Sequence, residues 1–222
     1  MSKRALLLTC LASCFCACAA AQGDAHGGKA DSNEAKPTTM VTPIFSETLE
    51  FPVPEGFVSI SARTSESFFI QEMVLKGETA DHWSQMITQS GRKGMSSKAD
   101  MNPEGYLNSI AGGFRRRCPD TYSGKAIGPT TISGHQALIG WVSCGTVPSD
   151  TNPRSESTLL ITIKGTEDYY TIQWSERGAA SSQPITYDDA KWGGRLKKLS
   201  PIKTSPVVPK GGSTSPKPPD KK

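Results

Sequence analysis

Apolar and polar residues change their period several times between residues 44 and 202, and each change marks an element. Leu49, Phe51 and Val53 alternate with polar or prolyl neighbours, the period of a half-buried strand. Pro52, Pro54 and Gly56 stop that strand, and Val58 and Ile60 alternate with serines in a second. Ser67 to Leu75, rich in Phe and Ile, predicts a longer third strand that Gly77 breaks. Thr79 as a cap and Asp81 in a first turn then predict a helix carrying Trp83, Met86 and Ile87 on one face. A second helix is expected from Asn102-Pro103-Glu104, with Tyr106, Leu107, Ile110 and Phe114 as its buried stripe. It ends in Arg115-Arg116-Arg117, where the helix dipole favours cations, and Cys118-Pro119 closes it.

Strands follow around Lys125 to Ile127, Gln136 to Val142 and Ser157 to Ile163. The last should pair with Tyr169 to Trp174 across Lys164-Gly165-Thr166-Glu167-Asp168. On that partner strand Tyr170, Ile172 and Trp174 share one face, and a buried face is the expected home of Trp174. Thr186 with Asp189 resembles a capping box for a final helix bearing Trp192, Leu196 and Leu199. Clustered strands joined by short turns predict an α+β domain, an antiparallel sheet with helices packed on it, rather than a parallel doubly wound sheet.

The two ends lack this periodicity. Lys3 and Arg4, the apolar run from Ala5 and the small residues Ala19-Ala20-Ala21 have the layout of a secretory signal peptide over residues 1–21. Cleavage before Gln22 is the preferred reading. The alternative is a lipobox, Leu11-Ala12-Ser13-Cys14, which would leave Cys14 as a lipid anchor in the envelope. Residues 22–43 are expected to be a disordered linker and 203–222 a disordered Pro- and Lys-rich tail, leaving 44–202 as the folded domain. The protein is thus expected to be periplasmic or secreted.

Charge changes the picture mainly by its location. Residues 44–202 hold 16 basic and 17 acidic side chains, while Lys203, Lys210, Lys217, Lys221 and Lys222 against Asp220 account for the formal +4. A near-neutral domain does not supply the concentrated basic face that nucleic acid requires. Four of the six cysteines lie in the signal region, so ordinary cleavage leaves Cys118 and Cys144. An even pair in an exported domain predicts a disulfide, which by closing a loop of about 26 residues contributes roughly 3 to 4 kcal/mol. Metal ligation with His82 or His135 is the rival reading, and no short C-x-x-C pair supports it. No metal or other cofactor is expected.

Candidate chemistry is sparse. No G-x-S-x-G, P-loop, dinucleotide fingerprint or calcium loop occurs. The carboxylate pairs Glu167-Asp168 and Asp188-Asp189 fall in a hairpin loop and a helix's first turn, where acids are ordinary. Two features carry weak binding signals. Arg115, Arg116 and Arg117 are either a dipole-stabilised helix end or a receptor for a phosphate, a carboxylate or an acidic partner surface. His135, between Gly134 and Gln136 at a strand start, is either a turn histidine or part of a site.

The run Gly77-Glu78-Thr79-Ala80-Asp81-His82-Trp83-Ser84-Gln85-Met86-Ile87-Thr88 resembles an uncharacterised family of small secreted bacterial proteins. Cys118-Pro119, Cys144-Gly145 and the aromatic strand Tyr169 to Trp174 complete the likeness, which spans most of Phe45 to Leu199. That family implies no activity. The order of elements also resembles the PsbP-like fold, an α/β/α sandwich whose members mostly bind partners; that architecture is the one expected, and fold alone is a weak warrant for function. The expected function is therefore a non-catalytic module binding a secreted or envelope protein. The alternative is a small secreted hydrolase with a cleft around His135.

Overall fold

The computed structural model describes residues 38–99, 101–148 and 152–208. The expected signal peptide, the lipobox, most of the linker and the end of the tail lie outside them. All described residues fall within one compact unit, Ala35–Lys222.

Ten strands and two helices make up this part of the chain. β1 (Thr38–Ile44), β2 (Glu47–Val53) and β10 (Lys203–Pro206) form a three-stranded sheet in the order β1-β2-β10. A seven-stranded sheet contains β3 (Phe57–Thr64), β4 (Phe68–Leu75), β5 (Gln85–Arg92), β6 (Tyr122–Ile132), β7 (His135–Val147), β8 (Arg154–Lys164) and β9 (Tyr169–Ala179). Its order is β3-β4-β5-β9-β8-β7-β6, and every neighbouring pair is antiparallel. The helices are α1 (Pro103–Arg117) and α2 (Asp189–Lys198). The architecture is α+β with antiparallel sheet dominant.

Alternation explains where the main core sits. In β2, Leu49, Phe51 and Val53 are buried in turn, and they meet Ile161, Ile163, Tyr170 and Ile172 from one face of the large sheet. Trp174 joins this core as expected, and Trp192 of α2 packs beside Trp141. Leu107 and Ala111 of α1 cover the opposite face of the sheet at Leu138, Val142 and Leu160. Gly140 allows that approach, because a Cβ there would lie 2.7 Å from a Leu107 methyl carbon. Asn102 caps α1 by accepting from the Gly105 N–H at 2.7 Å. The helices thus flank the seven-stranded sheet on its two faces.

Three expectations need correction. The segment after Gly77 is not a helix. Thr79 Oγ1 accepts from the His82 N–H, which closes a turn rather than starting a helix, and Gln85 onward is the interior strand β5. Met86 and Ile87 are both buried because they point to opposite faces: Ile87 enters the main core and Met86 packs with Val74 and Trp83. The boundaries of the domain also move outward. β1 reaches back to Thr38 and β10 forward to Pro206, so the ends of the expected linker and tail are strands. Backbone pairing to the two edges of β2 orders them, although their apolar content is low. The final helix is capped by Asp188, which accepts from the Lys191 N–H, instead of by Thr186.

Candidate functional site

The arginine run ends at a junction of four segments. Arg115 stacks over the Tyr122 ring at 5.1 Å, and the Arg116 guanidinium folds back over Gly112. Arg117, the last residue of α1, instead lines a recess of about 440 Å3 together with Arg154 of β8 and Arg177 of β9. Two acids share the recess, Glu156 of β8 and Asp81 of the loop before β5. Three arginines less two carboxylates leave a formal charge of +1.

Strand register builds most of this arrangement. Arg154 and Glu156 are two apart on β8 and so share a face, and Glu156 lies directly opposite Arg177 on β9. Their side chains pair at 3.1 Å, Arg177 Nε to Glu156 Oε2. The guanidinium of Arg177 also lies 3.7 Å above the Trp83 ring, a cation–π contact that holds it flat. Trp83 is fixed in turn by its loop. The Ser84 N–H and Oγ both donate to Glu78, and the Arg177 N–H donates to the Ser84 carbonyl at 2.8 Å. Burial works to raise the Glu78 pKa, but the Ser84 hydrogen bonds outweigh it and hold the carboxyl below the ordinary glutamate range. Arg117 and Arg154 have no ion pair among the described residues.

The disulfide sets the position of Arg117. Cys118 closes α1 and Cys144 lies on β7, and the two are joined with Cα atoms 5.7 Å apart. A smaller recess of about 240 Å3 lies against this bond, with Ile110, Gly113 and Phe114 of α1 on one wall. It shares Arg117, Val147 and Glu156 with the arginine recess. The two are therefore adjacent, the arginine recess mainly polar and the smaller one more apolar.

His135 lies apart from the arginine recess. It lies on the face of β7 that carries Ala137 and Trp141 into the main core. Its Nε2 meets Glu47 Oε1 of β2 at 3.1 Å, tying the two sheets together. Glu47 is 3 % exposed and also accepts from the N–H and hydroxyl of Thr166 in the β8–β9 hairpin. A larger recess of about 690 Å3 near the start of α1 is lined by Gln136 and Leu138, on the opposite face of β7 from His135. That recess is mainly apolar and carries one ionisable side chain, Glu104.

The carboxylate pairs do not assemble a site. Asp168 is buried and hydrogen-bonded, whereas Glu167 is exposed. Asp188 is used as a helix cap. His82 is exposed in the loop before Trp83. No group of three His, Cys, Asp or Glu suited to a metal ion occurs among the described residues. No described helix is long and apolar enough to cross a membrane. The sequence offers only Arg117 of the recess residues as a binding candidate; Arg154, Arg177 and Glu156 carry no local signal, since each is an ordinary strand residue until the register aligns them.

No family model and no curated protein matches the chain. Solved structures give distant likenesses. The Ran-binding protein Mog1p of Saccharomyces cerevisiae aligns with a TM-score of 0.39 at 16 % identity, covering 74 % of this chain and 86 % of its own. A mutant of protein Mog1 gives 0.38 at 15 %, covering 73 % and 85 %. A protein of unknown function from Pseudomonas aeruginosa, PA94, gives 0.34 at 10 %, covering 73 % and 96 %. Likenesses at this level carry no argument about partner or activity.

Proposed function

We propose that this chain is an exported, non-catalytic binding module that grips an acidic group of a secreted or envelope protein in the arginine recess. The observation that carries this reading is the convergence of Arg117, Arg154 and Arg177 from three elements, two of them without an ion pair among the described residues. Arginine suits such a role because its planar fork takes a carboxylate in two parallel hydrogen bonds. The signal layout of residues 1–21 and the disulfide support export. His135 supports a structural reading, since its Nε2 is engaged by a buried carboxylate between the sheets. Helices on both faces of the large sheet support the PsbP-like α/β/α sandwich as the finer description of the fold.

Crosslinked capture tests the function. The mature chain, tagged and incubated with the exported proteins of its own cell, should recover one stoichiometric partner. Recovery should fall as salt rises, because charged contacts near a surface are screened over about 10 Å at 0.1 M. Recovery that ignores salt, or the absence of any stoichiometric partner, would contradict the reading. Fractionation should place the protein outside the cytoplasm, and N-terminal mass spectrometry should begin at Gln22. A chain retained in the cytoplasm with its first 21 residues intact would overturn the export part.

A further inference from the structure

Accepting the arginine recess as the binding site, we infer that what it receives is the terminal carboxylate of a polypeptide whose last side chain is apolar. Charge selects the anion. The recess carries a formal +1, and Glu156 already occupies one edge of Arg177, leaving Arg117 and Arg154 to meet a ligand. A single carboxylate neutralises that charge. A dianion such as phosphate would bring surplus negative charge beside Glu156 and Asp81, where like charges repel.

Shape selects what is attached to the carboxylate. The apolar recess of about 240 Å3 shares Arg117, Val147 and Glu156 with the arginine recess, so the two lie side by side. That volume is below the roughly 300 Å3 at which small-molecule pockets begin, so it takes a side chain rather than a whole ligand. In a C-terminal residue the carboxyl carbon and Cβ are bonded to the same Cα, about 1.5 Å from each, which sets an apolar branch directly beside the anion. An internal Asp or Glu carries its carboxylate at the tip of the side chain and has no such branch. The walls are also held in advance. The disulfide fixes the α1 end that carries Arg117 and Phe114, and Trp83 holds Arg177, so little order remains to be imposed on binding. Capture of a C-terminal carboxylate is a recurring mode of peptide recognition, here with arginines as the donors.

Fluorescence anisotropy on the mature chain tests this with labelled hexapeptides of one neutral body. One ends in Leu with a free carboxylate, one in Leu amide, one in Ser with a free carboxylate, and one is amidated with an internal Glu. The Leu acid should bind, and amidation or Arg154→Gln should each weaken it by about tenfold or more, the loss expected when buried polar groups are left unpaired. The Ser acid should be weaker by about tenfold, the range for emptying an apolar pocket. Gly113→Leu gives a second arm that leaves the arginines untouched. A Cβ at Gly113 meets nothing within 4 Å, so the side chain can enter the apolar recess, and leucine favours the helix over glycine. This variant should bind Leu and Ser acids alike. Equal binding of acid and amide, tighter binding of the internal-Glu peptide, or displacement by inorganic phosphate more readily than by acetate would overturn the inference. If no peptide binds while salt-sensitive partner capture persists, the terminal-carboxylate assignment alone falls; if both fail, the binding site falls with it.

Discussion

The Asp168 carboxylate is 1 % exposed and stays charged because four donors surround it. The Ser46 N–H and hydroxyl, the Gly94 N–H and the Tyr170 hydroxyl all donate to it. Burial pushes its pKa up, but these hydrogen bonds, led by the Ser46 hydroxyl, hold it below the ordinary aspartate value of about 3.9. A pKa lower in the folded state than in the unfolded one stabilises the fold above the unfolded value, and the contribution is lost as pH falls through the folded value. The contribution of Asp168 to the melting temperature should therefore be full and independent of pH near neutrality, and be lost below about pH 4. Asp168→Asn should cost about 1.5 to 3 kcal/mol at pH 7 and flatten that acid decline. An unchanged acid limb in the Asn variant, followed by circular dichroism, would remove Asp168 from this role. Little of this was legible beforehand. Asp168 reads as a hairpin-loop acid and His135 as a turn histidine or part of a site, but Ser46 and Glu47 reach them from the β1–β2 turn and the start of β2, far earlier in the chain, and no local pattern records such a contact.

Among the elements, α1 was readable from its cap, its apolar stripe and its basic end, because a helix is built from local contacts. β5 was misread for the opposite reason. Its polar residues are buried and bonded to neighbouring strands: Gln89 Nε2 donates to Gln71 and Thr42, and Ser90 bonds Thr171. A central strand buried on both faces loses alternation, and Trp83, Met86 and Ile87 then imitate helical spacing. β10 was missed because backbone pairing to β2 carries it rather than apolar content. Thr204, one of its residues, is buried, and its N–H donates to Ser133 Oγ. Ending the chain after Val208 should leave the melting temperature within about a degree. Ending it after Ile202 strips an edge from β2 and uncovers Leu49, and should cost about 1 to 3 kcal/mol in urea unfolding. Equal stability of the two truncations would show that β10 contributes nothing. The disulfide acts at the same scale. The double variant Cys118→Ser/Cys144→Ser should lose about 2 to 5 kcal/mol, and thiol labelling of the native oxidised protein should find neither cysteine reactive. Quantitative labelling of both without reductant would contradict the bond.

Across the whole molecule, the excess positive charge of the sequence falls outside residues 44–202, yet the fold gathers three arginines of a near-neutral domain at one depression. One of them ends a helix fixed by the disulfide, one rests on a tryptophan, and one stands two residues from the glutamate that pairs its neighbour. The sequence made Arg117 visible as part of a run, and the antiparallel register of β8 and β9 supplied its companions. The account rests on that gathering, and a charge-matched comparison tests it most directly. Partner capture is quantified for the wild-type chain, for Arg117→Gln/Arg154→Gln, and for Arg63→Gln/Lys76→Gln, which removes the same charge from exposed positions outside the depression. Capture by the control pair should match wild type, while the recess pair should lose about tenfold or more of it. Equal capture by all three proteins would contradict the account.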